Sequence, residues 1–181
     1  MPQTKSRVTA GVAEFHIPKI DCCGNLICPG LIDVHTHGCN GFLFSSGNEL
    51  EIENILGEYR KHGVTSVLAT FASEKMDTFL QQADRFTKFI GAAPGFPEII
   101  GIYYESQYID MDQRGALNPD YVKSPIEEDC ERFEPILPFL KIFMLAPEKN
   151  TFVTAKTLLV KNRCKNLILQ YLHCTFVLPI S

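Results

Sequence analysis

The stretch that decides the fold is Pro29-Gly30-Leu31-Ile32-Asp33-Val34-His35-Thr36-His37-Gly38-Cys39-Asn40-Gly41-Phe42. It opens on a Pro-Gly turn, continues through a short apolar run and ends in a glycine-rich loop, which is typical of a β-strand. Side chains two apart in a strand share a face, so His35 and His37 are predicted to point the same way, with Asp33 behind them. Two imidazoles at a strand end form half of a transition-metal site for Zn, Fe, Cu or Ni. Two surface or hydrogen-bonded histidines are the alternative interpretation of so short a motif.

On the C-terminal side of this stretch, the pattern alternates between helix and strand. Apolar spacing predicts further strands at 64–70, 98–104, 140–146 and 167–172. It predicts helices at 51–62, 74–90 and 153–162, and one that begins near Ser124 and ends around Pro135 or Pro138. This alternation indicates βα units around a parallel sheet. No Gly-x-Gly-x-x-Gly or phosphate-loop motif follows the first strand, so a nucleotide-binding doubly wound sheet is unsupported.

The predicted fold class is α/β, as a partial (β/α)8 TIM-type barrel of about five parallel βα units. Residues 1–28 are predicted to form short β segments of a small β-sandwich domain, and residues 29–181 the incomplete barrel domain. A complete barrel usually needs about 250 residues, more than this chain has. An incomplete barrel is expected to leave its first and fifth strands with open edges, which invite aggregation or pairing with another chain.

Composition excludes several classes of protein. The hydrophobic fraction of 45% and the charged fraction of 21% are those of a folded globular protein. A net charge of -4 predicts neither nucleic-acid nor anionic-membrane binding. No apolar run is long enough to span a bilayer. The seven cysteines lack paired Cys-x-x-Cys spacing and no secretion signal precedes them, so we expect reduced thiols and a cytoplasmic location.

Two further residues stand at the carboxyl ends of predicted strands. Glu105 ends the third strand, and His173 follows the fifth. A carboxylate and an imidazole there would complete a metal site with His35 and His37, although a Glu after a strand is usually solvated and a lone His is usually structural. The long polar loop at 105–123 contains a Gly-Ala turn that could present backbone donors to a substrate.

The first motif resembles the metal motif of the amidohydrolase superfamily. Four further stretches resemble, in order and spacing, the N-acetylglucosamine-6-phosphate deacetylases, over about residues 20–150. They are Lys61-His62-Gly63-Val64-Thr65-Ser66, Gly101-Ile102-Tyr103-Tyr104-Glu105, Arg114-Gly115-Ala116-Leu117-Asn118-Pro119 and Leu145-Ala146-Pro147-Glu148.

This resemblance implies a metal-dependent hydrolase that converts N-acetylglucosamine 6-phosphate to glucosamine 6-phosphate and acetate in amino-sugar catabolism. It implies a divalent cofactor, Zn or Fe, an amino-sugar phosphate as the small-molecule partner, and a homodimer. Glu105 and His173 match metal ligands of the family, and His35 and His37 match a second metal position that some members have. Ala116 and Leu117 match a pair that contacts the sugar.

The chain also departs from this pattern. Tyr103-Tyr104-Glu105-Ser106-Gln107 stands where the family has His-Leu-Glu-Gly-Pro, Leu117 replaces a sugar-contacting His, and Leu172-His173 replaces Gly-His. The family's catalytic Asp, its second later His and its phosphate-binding residues have no counterparts before Ser181. We therefore assign no catalytic residue and expect this chain to represent an N-terminal portion that is inactive alone. Another amidohydrolase-superfamily hydrolase, such as one for cyclic amides, and a non-catalytic fragment are the alternatives.

Overall fold

The computed structural model of the protein describes residues 21–45, 47–146, 166–171 and 174–179. The strands, in chain order, are β1 (Leu31–Thr36), β2 (Gly38–Cys39), β3 (Phe42–Leu43), β4 (Val64–Phe71), β5 (Glu98–Glu105), β6 (Leu140–Leu145), β7 (Asn166–Tyr171) and β8 (Cys174–Pro179). The α-helices are α1 (Glu49–Lys61), α2 (Met76–Phe86) and α3 (Glu127–Arg132). Short 3₁₀ turns lie at Thr87–Phe89, Met111–Gln113, Pro119–Tyr121 and Glu134–Ile136.

Six of these strands form one sheet in the order β1-β4-β5-β6-β7-β8, and β2 pairs with β3 in a small hairpin. The first five strands of the large sheet run parallel, so the predicted α/β partial barrel with five parallel strands is confirmed. β8 was not predicted, and it pairs antiparallel with β7. The prediction of an open edge on the fifth strand is therefore wrong, because β8 covers that edge.

Two predicted segments lie outside the described residues. The β segments expected before residue 29 fall mainly in 1–20, and the helix expected at 153–162 falls in 147–165. Residues 21–30 are described and contain a turn but no strand. The domain boundary near residue 28 stays a prediction.

Helix α1 follows directly from local sequence signals. The side chain of Asn48 accepts a hydrogen bond from the backbone N–H of Glu51, which caps the first turn. Acidic residues occupy the first turn, and Arg60 and Lys61 occupy the last, which suits the helix dipole. One face of the helix is buried against the sheet, through Ile52, Ile55 and Leu56. The sequence therefore determines both the ends of this helix and its buried face.

Gly63 joins α1 to β4 with a φ of 77°, a left-handed conformation. A Cβ at this position would meet no atom within 4 Å, so a Gly63→Ala substitution adds backbone strain without a steric clash. We expect it to lower the free energy of unfolding by about 1–2 kcal/mol, measured by urea denaturation. The control is Gly57→Ala within α1, which should raise stability by about 0.5–1 kcal/mol because alanine favours a helix interior. Equal effects from both substitutions would contradict this account of Gly63.

The second and third helices are shorter than predicted. The apolar pattern of α2 extends to Ile90, but the α-helix ends at Phe86 and continues only as a 3₁₀ turn. α3 begins at Glu127 rather than at Ser124, and the segment after it, which contains Pro135, is a 3₁₀ turn. Proline cannot donate the hydrogen bond that would continue the helix, which explains this ending.

Side chains of the central strands alternate between two faces of the sheet. One face packs against the helices, and its buried residues include Val67, Phe71, Tyr104, Phe143 and Leu145. The opposite face, which we call the inner face, carries Leu68, Tyr103, Ile142 and Met144. Parallel sheets are normally covered on both faces. Here the helices cover one face, and the alternation of side chains leaves the inner face available for a functional site. No helix in the described part has the length and apolar character of a membrane span.

Candidate metal centre

Three side chains meet at the carboxyl edge of the sheet. His35 lies near the end of β1, His37 follows that strand, and Glu105 ends β5. The Nε2 atom of His35 lies 2.7 Å from Oε1 of Glu105, and the Nε2 atom of His37 lies 3.6 Å from Oε2. One ligand atom from each residue lies within 4.8 Å of the other two. The carboxylate thus stands between two imidazoles.

The two strands that carry these residues are not neighbours. β4 lies between β1 and β5, so Glu105 and His35 reach towards each other across an intervening strand. The pairing of β1 with β4 shifts register between Asp33 and Thr36, and the backbone N–H of Thr36 donates to Oγ1 of Thr70 over 2.9 Å. A hydroxyl of β4 therefore holds the end of the strand beside the histidines.

The backbone around His37 is fixed from the side of α1. The hydroxyl of Tyr59 donates to the carbonyl of Gly38 over 3.3 Å and also hydrogen-bonds to Oγ1 of Thr36. Gly38 has a φ of 141°, and a Cβ there would lie 2.1 Å from the carbonyl oxygen of Phe42. Only glycine therefore allows the hairpin to approach this closely, directly after the second histidine.

The ring of Tyr103 packs against the ring of His35. The two ring centroids are 4.7 Å apart, and Tyr103 is only 6% exposed. Burial raises the pKa of the Tyr103 phenol, and the negative charge of Glu105 raises it further, so the phenol stays neutral at physiological pH. A neutral, buried ring in this position restricts the orientations that the half-exposed His35 can adopt.

The other predicted site residues differ in their placement. Leu117 is partly buried and packs on the inner face, in the apolar group that contains Tyr103. Ala116 is exposed on the loop. Oδ1 of Asp33 accepts a hydrogen bond from the backbone N–H of His35 over 3.1 Å. His173 lies outside the described residues.

Sequence reasoning missed the supporting residues Thr70, Tyr59 and Tyr103. Tyr59 lies within the helix predicted at 51–62, and its hydroxyl was the signal that it could also form a hydrogen bond at the strand end. Thr70 is a hydroxyl residue near the carboxyl end of the strand next to β1, which is where a site of this kind forms.

The donor set suits a divalent transition metal. Two imidazole nitrogens and one carboxylate oxygen match the ligand types of zinc and non-haem iron, with positions left for water or substrate. Within the ranges that the structure describes, this is the one group of three or more His, Cys, Asp or Glu side chains close enough to hold an ion. The residues present therefore fit a metal ion, without specifying which one.

Comparison with known proteins points to one family. Residues 26–155 match the model of the Amidohydrolase family. The N-acetylglucosamine-6-phosphate deacetylase of Lysinibacillus sphaericus is 25% identical over 136 residues, which cover 74% of this chain and 35% of that protein. The N-acetylgalactosamine-6-phosphate deacetylase of Shewanella sp. (strain ANA-3) is 26% identical over 129 residues, covering 71% of this chain and 32% of that protein.

A solved structure shares the fold. The crystal structure of N-acetyl-D-glucosamine-6-phosphate deacetylase from Mycobacterium smegmatis matches with a TM-score of 0.64 and 23% identity, covering 79% of this chain and 39% of that one. The chain thus spans about a third of the length of the relatives that it matches.

Proposed function

Because this chain belongs to the amidohydrolase family, we propose that it supplies a divalent metal site for hydrolysis of the amide bond of an N-acetylated amino-sugar phosphate. The convergence of His35, His37 and Glu105 carries this proposal. Imidazole and carboxylate ligands on the carboxyl ends of parallel strands are what a metal-dependent hydrolase on a barrel scaffold requires. The metal identity stays open between zinc and iron.

The bound ion would act as a Lewis acid that polarises the amide carbonyl and lowers the pKa of a coordinated water. His35 and His37 would contribute neutral nitrogen donors, and Glu105 the anionic oxygen. The contact with the Tyr103 ring would restrict the orientation of the His35 ring. Leu117 is partly buried and packs on the apolar inner face that includes Tyr103. These residues bind and orient, and we assign none of them to proton transfer.

The names of the relatives support the proposed class of substrate. They act on N-acetylglucosamine 6-phosphate and N-acetylgalactosamine 6-phosphate, which share an N-acetyl group and a phosphate. At 25–26% identity the choice between the two sugars does not carry over to this chain. We therefore propose the shared class, an N-acetylated hexosamine 6-phosphate. Acetate release by the chain alone is a separate question, and the expectation that it is inactive stays a prediction.

The proposal is tested with cobalt as a spectroscopic substitute for the native ion. We expect Co²⁺ to bind the purified chain and to give d–d absorption bands. N-acetylglucosamine 6-phosphate should change those bands because its amide carbonyl would be a ligand that the ion can polarise. Glucosamine 6-phosphate, which keeps the sugar and the phosphate but lacks the carbonyl, is the matched control and should leave them unchanged.

Two results would contradict the proposal. A chain that binds neither Co²⁺ nor Zn²⁺ has no metal site. If the chain binds Co²⁺ but gives identical spectra with both sugar phosphates, the metal site does not contact the amide, and the proposed role in amide hydrolysis is contradicted.

A further inference from the structure

Helix α3 carries a buried carboxylate, that of Asp129. Asp129 is only 2% exposed. Its Oδ2 atom accepts a hydrogen bond from the hydroxyl of Tyr108 over 2.8 Å, and it lies 2.9 Å from Nζ of Lys123. A buried charge is strongly unfavourable unless it is paired and hydrogen-bonded, and this carboxylate is both. Its partners come from one loop, the loop that follows Glu105.

These partners lie at the two ends of that loop. Tyr108 stands near its start and Lys123 near its end, and the backbone N–H of Lys123 donates to the carbonyl of Gln107 over 2.9 Å. The Lys123 side chain also reaches Oδ1 of Asp129 over 3.2 Å. Asp129 therefore holds both ends of the loop together. The exposed part of the loop lies between these two ends.

Hydrogen bonds attach the backbone that follows Glu105 to the end of β6. The backbone N–H of Tyr108 donates to Oγ of Ser106 over 3.1 Å, and that hydroxyl donates to the carbonyl of Met144. The carbonyl of Tyr108 accepts from the N–H of Ala146 over 2.9 Å. Glu105 precedes Ser106 and pairs with Met144 in the sheet. The backbone that leaves Glu105 is thus attached to the end of β6.

The Tyr108 side chain connects these bonds to Asp129. Its ring stacks on Phe143 with centroids 6.0 Å apart. Burial raises the pKa of the Tyr108 phenol and the Asp129 charge raises it further, so the hydroxyl stays a donor.

We propose that Asp129 is a positioning residue for Glu105. By clamping Tyr108 and Lys123 it fixes the strand end from which the Glu105 carboxylate reaches His35 and His37. This inference deepens the proposed function and rests on its metal site. A merely structural role would stabilise α3 and leave the geometry at Glu105 unchanged.

The first arm of the test is amide hydrogen exchange on the metal-free chain. Asp129→Asn keeps the volume but removes the charge, and we expect exchange at Tyr108, Lys123 and Ala146 to accelerate about tenfold. The amides of Val67 and Phe71 in β4 should not change. Asp77→Asn is the matched control, because Asp77 of α2 is an exposed carboxylate that pairs with Arg132 of α3, the helix that carries Asp129. Unchanged hydrogen exchange at the amides of Tyr108, Lys123 and Ala146 would overturn the proposal.

The second arm measures the metal site. Residues that orient metal ligands typically contribute about 10–100-fold to affinity, so Asp129→Asn should weaken Zn²⁺ binding about tenfold and alter the Co²⁺ spectrum at saturation. Tyr108→Phe, which removes only the hydroxyl, should act in the same direction and serves if Asp129→Asn does not fold. Faster exchange with unchanged affinity and spectrum would overturn the positioning role. A wild-type chain that binds no metal would contradict the proposed function, and the exchange arm would still decide whether Asp129 holds the strand end.

Discussion

Replacing Glu105 with Gln is expected to weaken divalent metal binding by at least about 100-fold, the upper end of the range for residues that only support ligands. The substitution keeps the size of the side chain and removes its negative charge. Glu105 is the anionic member of the cluster, and its oxygens lie 2.7 Å and 3.6 Å from the two imidazole nitrogens. Isothermal titration calorimetry with Zn²⁺ on both proteins measures the change.

Glu58→Gln is the matched control for this experiment. Glu58 also faces an imidazole, with its Oε1 atom 3.2 Å from Nε2 of His62, but it lies on the surface of α1 without a second histidine. Its loss should leave Zn²⁺ affinity unchanged. Equal affinity in the wild type and the Glu105→Gln protein would remove Glu105 from the ligand set, and an equal loss in the Glu58→Gln protein would indicate non-specific binding.

Replacing Phe79 with Ala is expected to lower the free energy of unfolding by about 3–5 kcal/mol. Phe79 is fully buried in α2, and its ring stacks on Tyr104 with centroids 3.6 Å apart. It also meets Phe71 and Phe133 edge-on or tilted, so its removal leaves a cavity that three other rings border. Urea denaturation followed by circular dichroism gives the change in stability.

Phe89→Ala provides the comparison. Phe89 is only partly buried and packs at the margin of the same core, beside Phe86. A smaller loss is expected, because a half-exposed site can relax towards solvent. Suppose that Phe79→Ala lowered the free energy of unfolding by less than about 1 kcal/mol, the average for any substitution. The stacked pair of Phe79 and Tyr104 would then not be a major contributor to the stability of this core.

Most of the secondary structure was predictable because its signals are local. The capped α1, Gly63 and the β-branched run of β4 specify a helix, a turn and a strand within a few residues of each other. Helix ends were less accurate. The apolar stripe of α2 continues past Phe86, while the backbone changes to a 3₁₀ turn there. β8 was missed because its pairing with β7 depends on a neighbouring strand and not on its own pattern.

The site was only partly predictable. Its residues were expected at the carboxyl ends of neighbouring strands, and His35 and Glu105 do lie together, but on strands separated by β4. The contact of Tyr103 with His35, the bond of Thr70 to Thr36 and the clamp at Asp129 join residues distant in sequence. The placement of His173 stays a prediction, as do the ligand roles of the other three residues.

The sequence by itself determined which residue types stand at the ends of which strands, since strand periodicity and turn residues act over a few positions. Tertiary structure alone decided which strand ends meet, because the sheet order and the register shift of β1 arise from packing between distant segments. Tertiary structure also decided that Glu105 stands between two imidazoles, and that the buried Asp129 contacts both ends of the loop that follows Glu105. Hydrogen bonds need their partners within about 3 Å, and the interaction of two charges weakens with distance, so both depend on distances that only the folded chain brings about.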